Sequence, residues 1–67
     1  MSNGTIKWFN YEKGYGFITP DVGEKDVFVH ITALQKANIE QVLPGQKVVY
    51  STYDDRGRTA AYISEIK

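Results

Sequence analysis

Apolar and polar positions alternate in short blocks along most of this chain, and turn residues separate the blocks. A side-chain period of two belongs to the β-strand. Thr5–Asn10, Tyr15–Pro20, Val27–Ile31, Lys47–Tyr53 and Arg58–Ile66 each read as a strand. Met1–Gly4 is a short polar lead. The polar turn Asn10–Gly14, the charged loop Asp21–Asp26 around Gly23, Pro44-Gly45, and Asp54-Asp55-Arg56-Gly57 separate the strands. Pro20 ends the pairing of the second strand. The stretch after the third strand is different. Ile31, Leu34, Ile39, Val42 and Leu43 have partial helical spacing, so a helix over Thr32–Leu43 is compatible with it. One short turn at Thr32–Gln35, then an irregular loop that buries Val42, is the expectation.

Five short strands predict a small closed or nearly closed barrel, because closure removes the edges a flat sheet would expose. Ile6, Ile18, Val27, Val29, Val48 and Ile63 would fill it, with Tyr50 and Ala61 also inward. Most of these are β-branched, as strands favour. The same alternation leaves a second set of side chains outside. In Lys13-Gly-Tyr-Gly-Phe-Ile18, Tyr15 and Phe17 share one face, Ile18 takes the other, and Gly16 leaves that other face bare between them. In Val27-Phe28-Val29-His30, Phe28 and His30 share a face opposite the valines. Strict alternation would set Trp8 beside Ile6, so a bulge is needed to bring its ring to the Tyr15–Phe17 side. Phe9 fits either the core edge or the ring face.

Composition narrows the choices. Sixty-seven residues make one domain, 1–67, with a minimal core; a chain this short buries roughly 60% of its unfolded surface. There is no cysteine, hence no disulfide and no thiolate metal site. No signal-peptide pattern or membrane-length apolar run is present, so a cytoplasmic setting is expected. Eight basic and eight acidic residues cancel, which counts moderately against a nucleic-acid partner and points to stacking rather than charge as the main source of any affinity. Aromatic residues make up 13% of the chain. Rings are the best core material a tiny domain has, so a contiguous outward cluster of them marks a binding surface.

Unpaired bases offer flat π-faces, and a ring stacked on one contributes about 1–3 kcal/mol with little regard to base identity. Trp8, Tyr15, Phe17, Phe28 and His30 are candidates for such contacts, worth roughly 5–12 kcal/mol gross before ordering costs. Lys7, Lys13 and Arg56 flank the ring segments and are candidates for phosphate contacts; otherwise each is a solvated charge. Asp26 either accepts from a base edge or caps its hairpin. His30 has no evident second group for acid–base cleavage of RNA. One histidine with scattered carboxylates lacks zinc-site spacing, and Gly14 and Gly16 precede no helix and so form no phosphate loop. No catalytic residue, metal, cofactor, membrane or small-molecule substrate is expected. An aromatic face can also bind protein, which makes a docking barrel the competing expectation; an RNA-cleaving enzyme dependent on His30 is a third.

Lys13-Gly-Tyr-Gly-Phe-Ile18 resembles the first ribonucleoprotein motif of the cold shock proteins, and Val27-Phe28-Val29-His30 resembles the second. Lys7-Trp8-Phe9-Asn10, Pro44-Gly45-Gln46 and Arg56-Gly57 fall where that family carries similar residues, so the resemblance spans essentially the whole chain. It implies a five-stranded antiparallel oligonucleotide/oligosaccharide-binding (OB-fold) barrel. It also implies single-stranded RNA and DNA as partners without strong sequence preference, an RNA-chaperone role, a cytoplasmic location and a monomer. The chain departs from the family at Ile31 and Ile39, where aromatics are frequent, at Tyr15, where phenylalanine is commoner, and in the glycine-free loop Gln35–Gln41.

Overall fold

The computed structural model describes residues 1–23 and 25–67; Glu24, within the charged loop Asp21–Asp26, lies outside the described residues. The elements are β1 (Ser2–Asn10), β2 (Tyr15–Pro20), β3 (Val27–His30), α1 (Ile31–Lys36), β4 (Lys47–Asp55) and β5 (Arg58–Ile66). The strands close in the order β1-β2-β3-β5-β4, with β4 pairing back onto β1. No helix among the described residues is long and apolar enough to cross a membrane.

The expectation of a wholly antiparallel barrel needs one correction. The β3–β5 ladder is parallel, at Phe28↔Ala60, while the other four are antiparallel. Five is an odd number. Directions cannot alternate all the way around a closed ring of five strands, so one neighbouring pair must run the same way. The parallel pair is β3 and β5, which are joined through α1 and β4.

The first strand begins at Ser2, not Thr5, because the polar lead is the closing seam. Ser2, Asn3, Gly4 and Thr5 pair with Tyr50, Val49, Val48 and Lys47, while the strand from Gly4 onward pairs with β2. One long strand thus belongs to both sides of the barrel. The third strand stops at His30, and Ile31 starts α1 instead of ending β3. That helix replaces the expected turn at Thr32–Gln35 and ends in a Schellman pattern: Ile39 N–H donates to Leu34 C=O at 2.8 Å and Asn38 N–H to Gln35 C=O at 3.1 Å. Asn38 takes the left-handed conformation (φ 59°) that glycine usually takes there. The following loop buries Val42 as expected, and Tyr11 anchors it, its hydroxyl bonded to both the N–H and the C=O of Val42.

The β4–β5 hairpin is longer than expected. Asp54 and Asp55 pair with Thr59 and Arg58, leaving a two-residue turn. Its residues, Arg56 and Gly57, both have positive φ (54° and 87°), the mark of a type I′ hairpin. Inside the barrel, Ile6, Ile18, Val27, Val29, Val48, Tyr50, Ala61 and Ile63 are all buried, joined by Ala33, Leu34 and Val42 from the crossover.

Candidate functional site

Two ladders across three strands place the outward rings in register. Trp8 stands opposite Phe17, Phe17 opposite Phe28, and Tyr15 opposite His30. The bulge required for Trp8 is present as a register shift between Ile6 and Trp8 on β1. It absorbs Lys7 and turns the indole to the Tyr15–Phe17 side. Gly16 is what lets β1 close on β2 at this point. A Cβ there would lie 2.7 Å from Phe9 Cδ2 and 2.8 Å from Phe9 Cα, and closer still to the Trp8 carbonyl oxygen. A side chain at Gly16 would push the Trp8 strand away from the other rings.

The rings touch one another. Trp8 is 5.3 Å from Phe17 and 5.7 Å from Tyr15, centroid to centroid; Phe28 is 5.7 Å from Tyr15, 5.9 Å from Phe17 and 6.3 Å from His30. Most of these pairs are tilted or edge-on, within the range where aromatic pairs attract. Trp8 is 37% exposed, Tyr15 and Phe17 are half-buried, and His30 is exposed. The cluster is thus packed against itself and in part open to solvent. Phe9 lies elsewhere. It packs against the core margin, 4.8 Å from the Tyr11 ring, which settles its two readings in favour of the core edge.

Phe28 departs from the expectation of an open ring. It is only 9% exposed, because the Arg58 guanidinium lies over its face, 4.6 Å from the centroid. Arg58 begins β5 at the exit of the Arg56-Gly57 turn, and the parallel ladder brings β5 against β3. Sequence spacing held no signal for this contact, which joins residues 30 apart through the closing ladder. Between the β2–β3 loop and the β4–β5 turn runs a groove of about 540 Å³, lined by Phe17, Lys25, Phe28 and Arg58 among others.

The charged candidates are disposed around this surface. Lys7, in the bulge, forms an exposed ion pair with Asp26 at 2.8 Å, so Asp26 here holds a lysine. Such surface pairs contribute about 0–1 kcal/mol. Lys13 is exposed in the β1–β2 turn, its N–H donating to Asn10 Oδ1 at 3.1 Å. Arg56 is exposed at the tip of the β4–β5 turn. His30 also caps α1: its Nδ1 accepts the Thr32 N–H at 3.2 Å, with Thr32 Oγ1 at 3.1 Å. That bond assigns the neutral ring's proton to Nε2, the nitrogen left to donate outward. Among the described residues no three His, Cys, Asp or Glu side chains gather as a metal site.

Comparisons with known proteins show the family. Residues 2–66 match the model of the family described as the 'Cold-shock' DNA-binding domain. The chain is 52% identical over 56 residues to a probable cold shock protein, y4cH, of Sinorhizobium fredii, covering 84% of this chain and 81% of that protein. It is 51% identical over 67 residues to the cold shock-like protein CspG of Escherichia coli, covering 94% and 96% of the two chains. It is 50% identical over 64 residues to cold shock protein 1 of Lactiplantibacillus plantarum, with the same shares covered.

Proposed function

The chain belongs to the cold-shock DNA-binding domain family, and we propose that it holds RNA and DNA in single-stranded form by stacking unpaired bases on Trp8, Tyr15, Phe17, Phe28 and His30. The observation that carries this reading is the ring cluster itself. Its members are in register on three adjacent strands, in mutual contact, and outside a barrel whose interior is already filled. The fold does not need these rings for its core. Stacking is indifferent to base identity, so sequence preference is weak. A duplex hides its π-faces within the stack, so single strands are preferred. A protein that binds only unpaired strands draws weak RNA structure toward the open form, which is the chaperone role. The protein acts as a cytoplasmic monomer, without catalysis, metal or cofactor.

Phe28 takes part by exchange. A cation–π contact is worth about 0.5–2 kcal/mol, rising as it is desolvated, and a stacked base about 1–3 kcal/mol. A base on Phe28 takes the place of Arg58, and the released guanidinium meets a phosphate. Lys7, Lys13 and Arg56 supply further phosphate contacts. Each adds about 0.7 to the slope of log affinity against log salt for a single strand, so those three give a slope of about −2.

The test is a titration of Trp8 fluorescence with an unstructured oligothymidine of about seven nucleotides, beside a matched duplex. Saturable quenching by the single strand, with little from the duplex, is expected. No quenching together with no binding in an independent assay would overturn the reading.

A further inference from the structure

The outward row does not stop at β3. Phe28 stands opposite Ala60 on β5, and Ala60 opposite Tyr53 on β4. Partners in a ladder point to the same side of the sheet. So Trp8, Phe17, Phe28, Ala60 and Tyr53 form one cross-strand row on the outward side of the sheet, rings at every position but Ala60, which is covered and 0% exposed. Two residues beyond Ala60, on the same side of β5, is Tyr62. It is 47% exposed, and its ring stacks on Tyr53 with centroids 4.3 Å apart and planes 26° apart. The Lys36 ammonium, from the last turn of α1, lies 5.9 Å from the Tyr62 centroid. Tyr62 and Tyr53 are thus a second ring pair, one and two strands further round the barrel than Phe28, with a cation beside it.

We propose that Tyr62, backed by Tyr53 and flanked by Lys36, is an additional stacking station for the same single strand, taking an unpaired base after the strand has left Phe28. The inference rests on the stacking reading of the first cluster. Two features favour a nucleotide as the occupant. The row is continuous with the first cluster, and both connecting positions carry cations, Arg58 over Phe28 and Lys36 over Tyr62. Acidic Asp55 lies two residues from Tyr53, on the same side of β4, so the backbone passes Tyr62 along its Lys36 side and Tyr53 serves as support. The stations lie on neighbouring strands, and one step around a closed five-stranded barrel turns the surface by about a fifth of a circle. A short strand fills the first cluster alone; a longer one wraps onto the second.

The experiment compares oligothymidines of about six and about nine nucleotides, within the range one OB-fold holds. Tyr62→Ser is expected to bind the short strand as the parent does and to lose about 5- to 150-fold on the long one. Tyr62→Phe keeps the ring and keeps the parent's affinity for both. Lys36→Gln lowers the salt slope for the long strand by about 0.7 and leaves that for the short one unchanged. A long strand with 5-bromodeoxyuridine at its ends, irradiated on the parent protein, gives an adduct at Tyr62; this arm does not depend on any variant folding. Parent-like binding of the long strand by Tyr62→Ser, or no adduct at Tyr62, overturns the second station and leaves the first standing. Failure of the parent to bind the short strand overturns the first reading instead.

Discussion

The two faces of the β2–β3 hairpin are built from the same ten positions and do opposite things. Inward, Ile18, Val27 and Val29 are aliphatic and buried, and Gly16 is bare because the β1 backbone occupies the space a side chain would take. Outward, Tyr15, Phe17, Phe28 and His30 are flat, in mutual contact and in part open to solvent. A strand's period of two lets one short segment specify a core and a binding surface with little interference. Substitutions on the two faces should therefore damage different properties.

Gly16→Val tests the inner face most severely. Its side chain meets β1 backbone, which cannot yield without breaking the β1–β2 ladder. Loss of the cooperative thermal transition is expected; a parent-like melting temperature would show that β1 does not approach as closely as described. Ile18→Ala comes next, with an expected loss of about 2–5 kcal/mol for a large-to-small change in a filled core, read by denaturant unfolding. Phe17→Ala makes the comparison sharp from the other side. The domain is expected to remain cooperatively folded while affinity for single-stranded oligothymidine falls about 5- to 150-fold. Equal losses of stability and binding in Phe17→Ala would break the division between faces.

Two smaller effects follow. Arg56 keeps a left-handed backbone conformation (φ 54°) that glycine would adopt without strain. Arg56→Gly should change stability by less than about 1 kcal/mol and lower the salt slope of binding by about 0.7, measured by titration at several salt concentrations. Tyr50 is the inner-face group with a pH signature. Burial, and secondarily Asp21, raise its phenol above the ordinary 10.0. A pKa raised in the folded state favours the protonated form there. The resulting stability is fully present below pH 10, the unfolded value, and is lost as pH rises through the higher folded value. Tyr50→Phe should flatten the alkaline end of a stability–pH curve; an unchanged curve would assign that loss to other groups.

Much of this was legible in the sequence because it is local. Strand positions, eight interior residues and the side on which Tyr15 and Phe17 stand follow from alternation alone. The need for a bulge before Trp8 followed from a conflict in that alternation, between an inward Ile6 and an outward indole. Illegible were side-chain contacts between separate elements. The Arg58 cover over Phe28, the Tyr11 anchor on Val42 and the Tyr53–Tyr62 stack each join residues that alternation does not relate. The helix from Ile31 was obscured because His30 ends a strand and caps a helix at once, and because Asn38 supplies the terminating turn in place of glycine.

By itself the sequence determined which side chains share a face, since that depends only on the geometry of neighbouring residues, and it carried the two motifs that mark the family. Tertiary structure decided which faces meet. An odd number of strands closing on itself forces one parallel ladder, and that ladder sets β5 beside β3. Through it Arg58 covers Phe28, and the row of rings continues to Tyr62 and Tyr53. Closure is a property of the whole chain, and no local pattern encodes it.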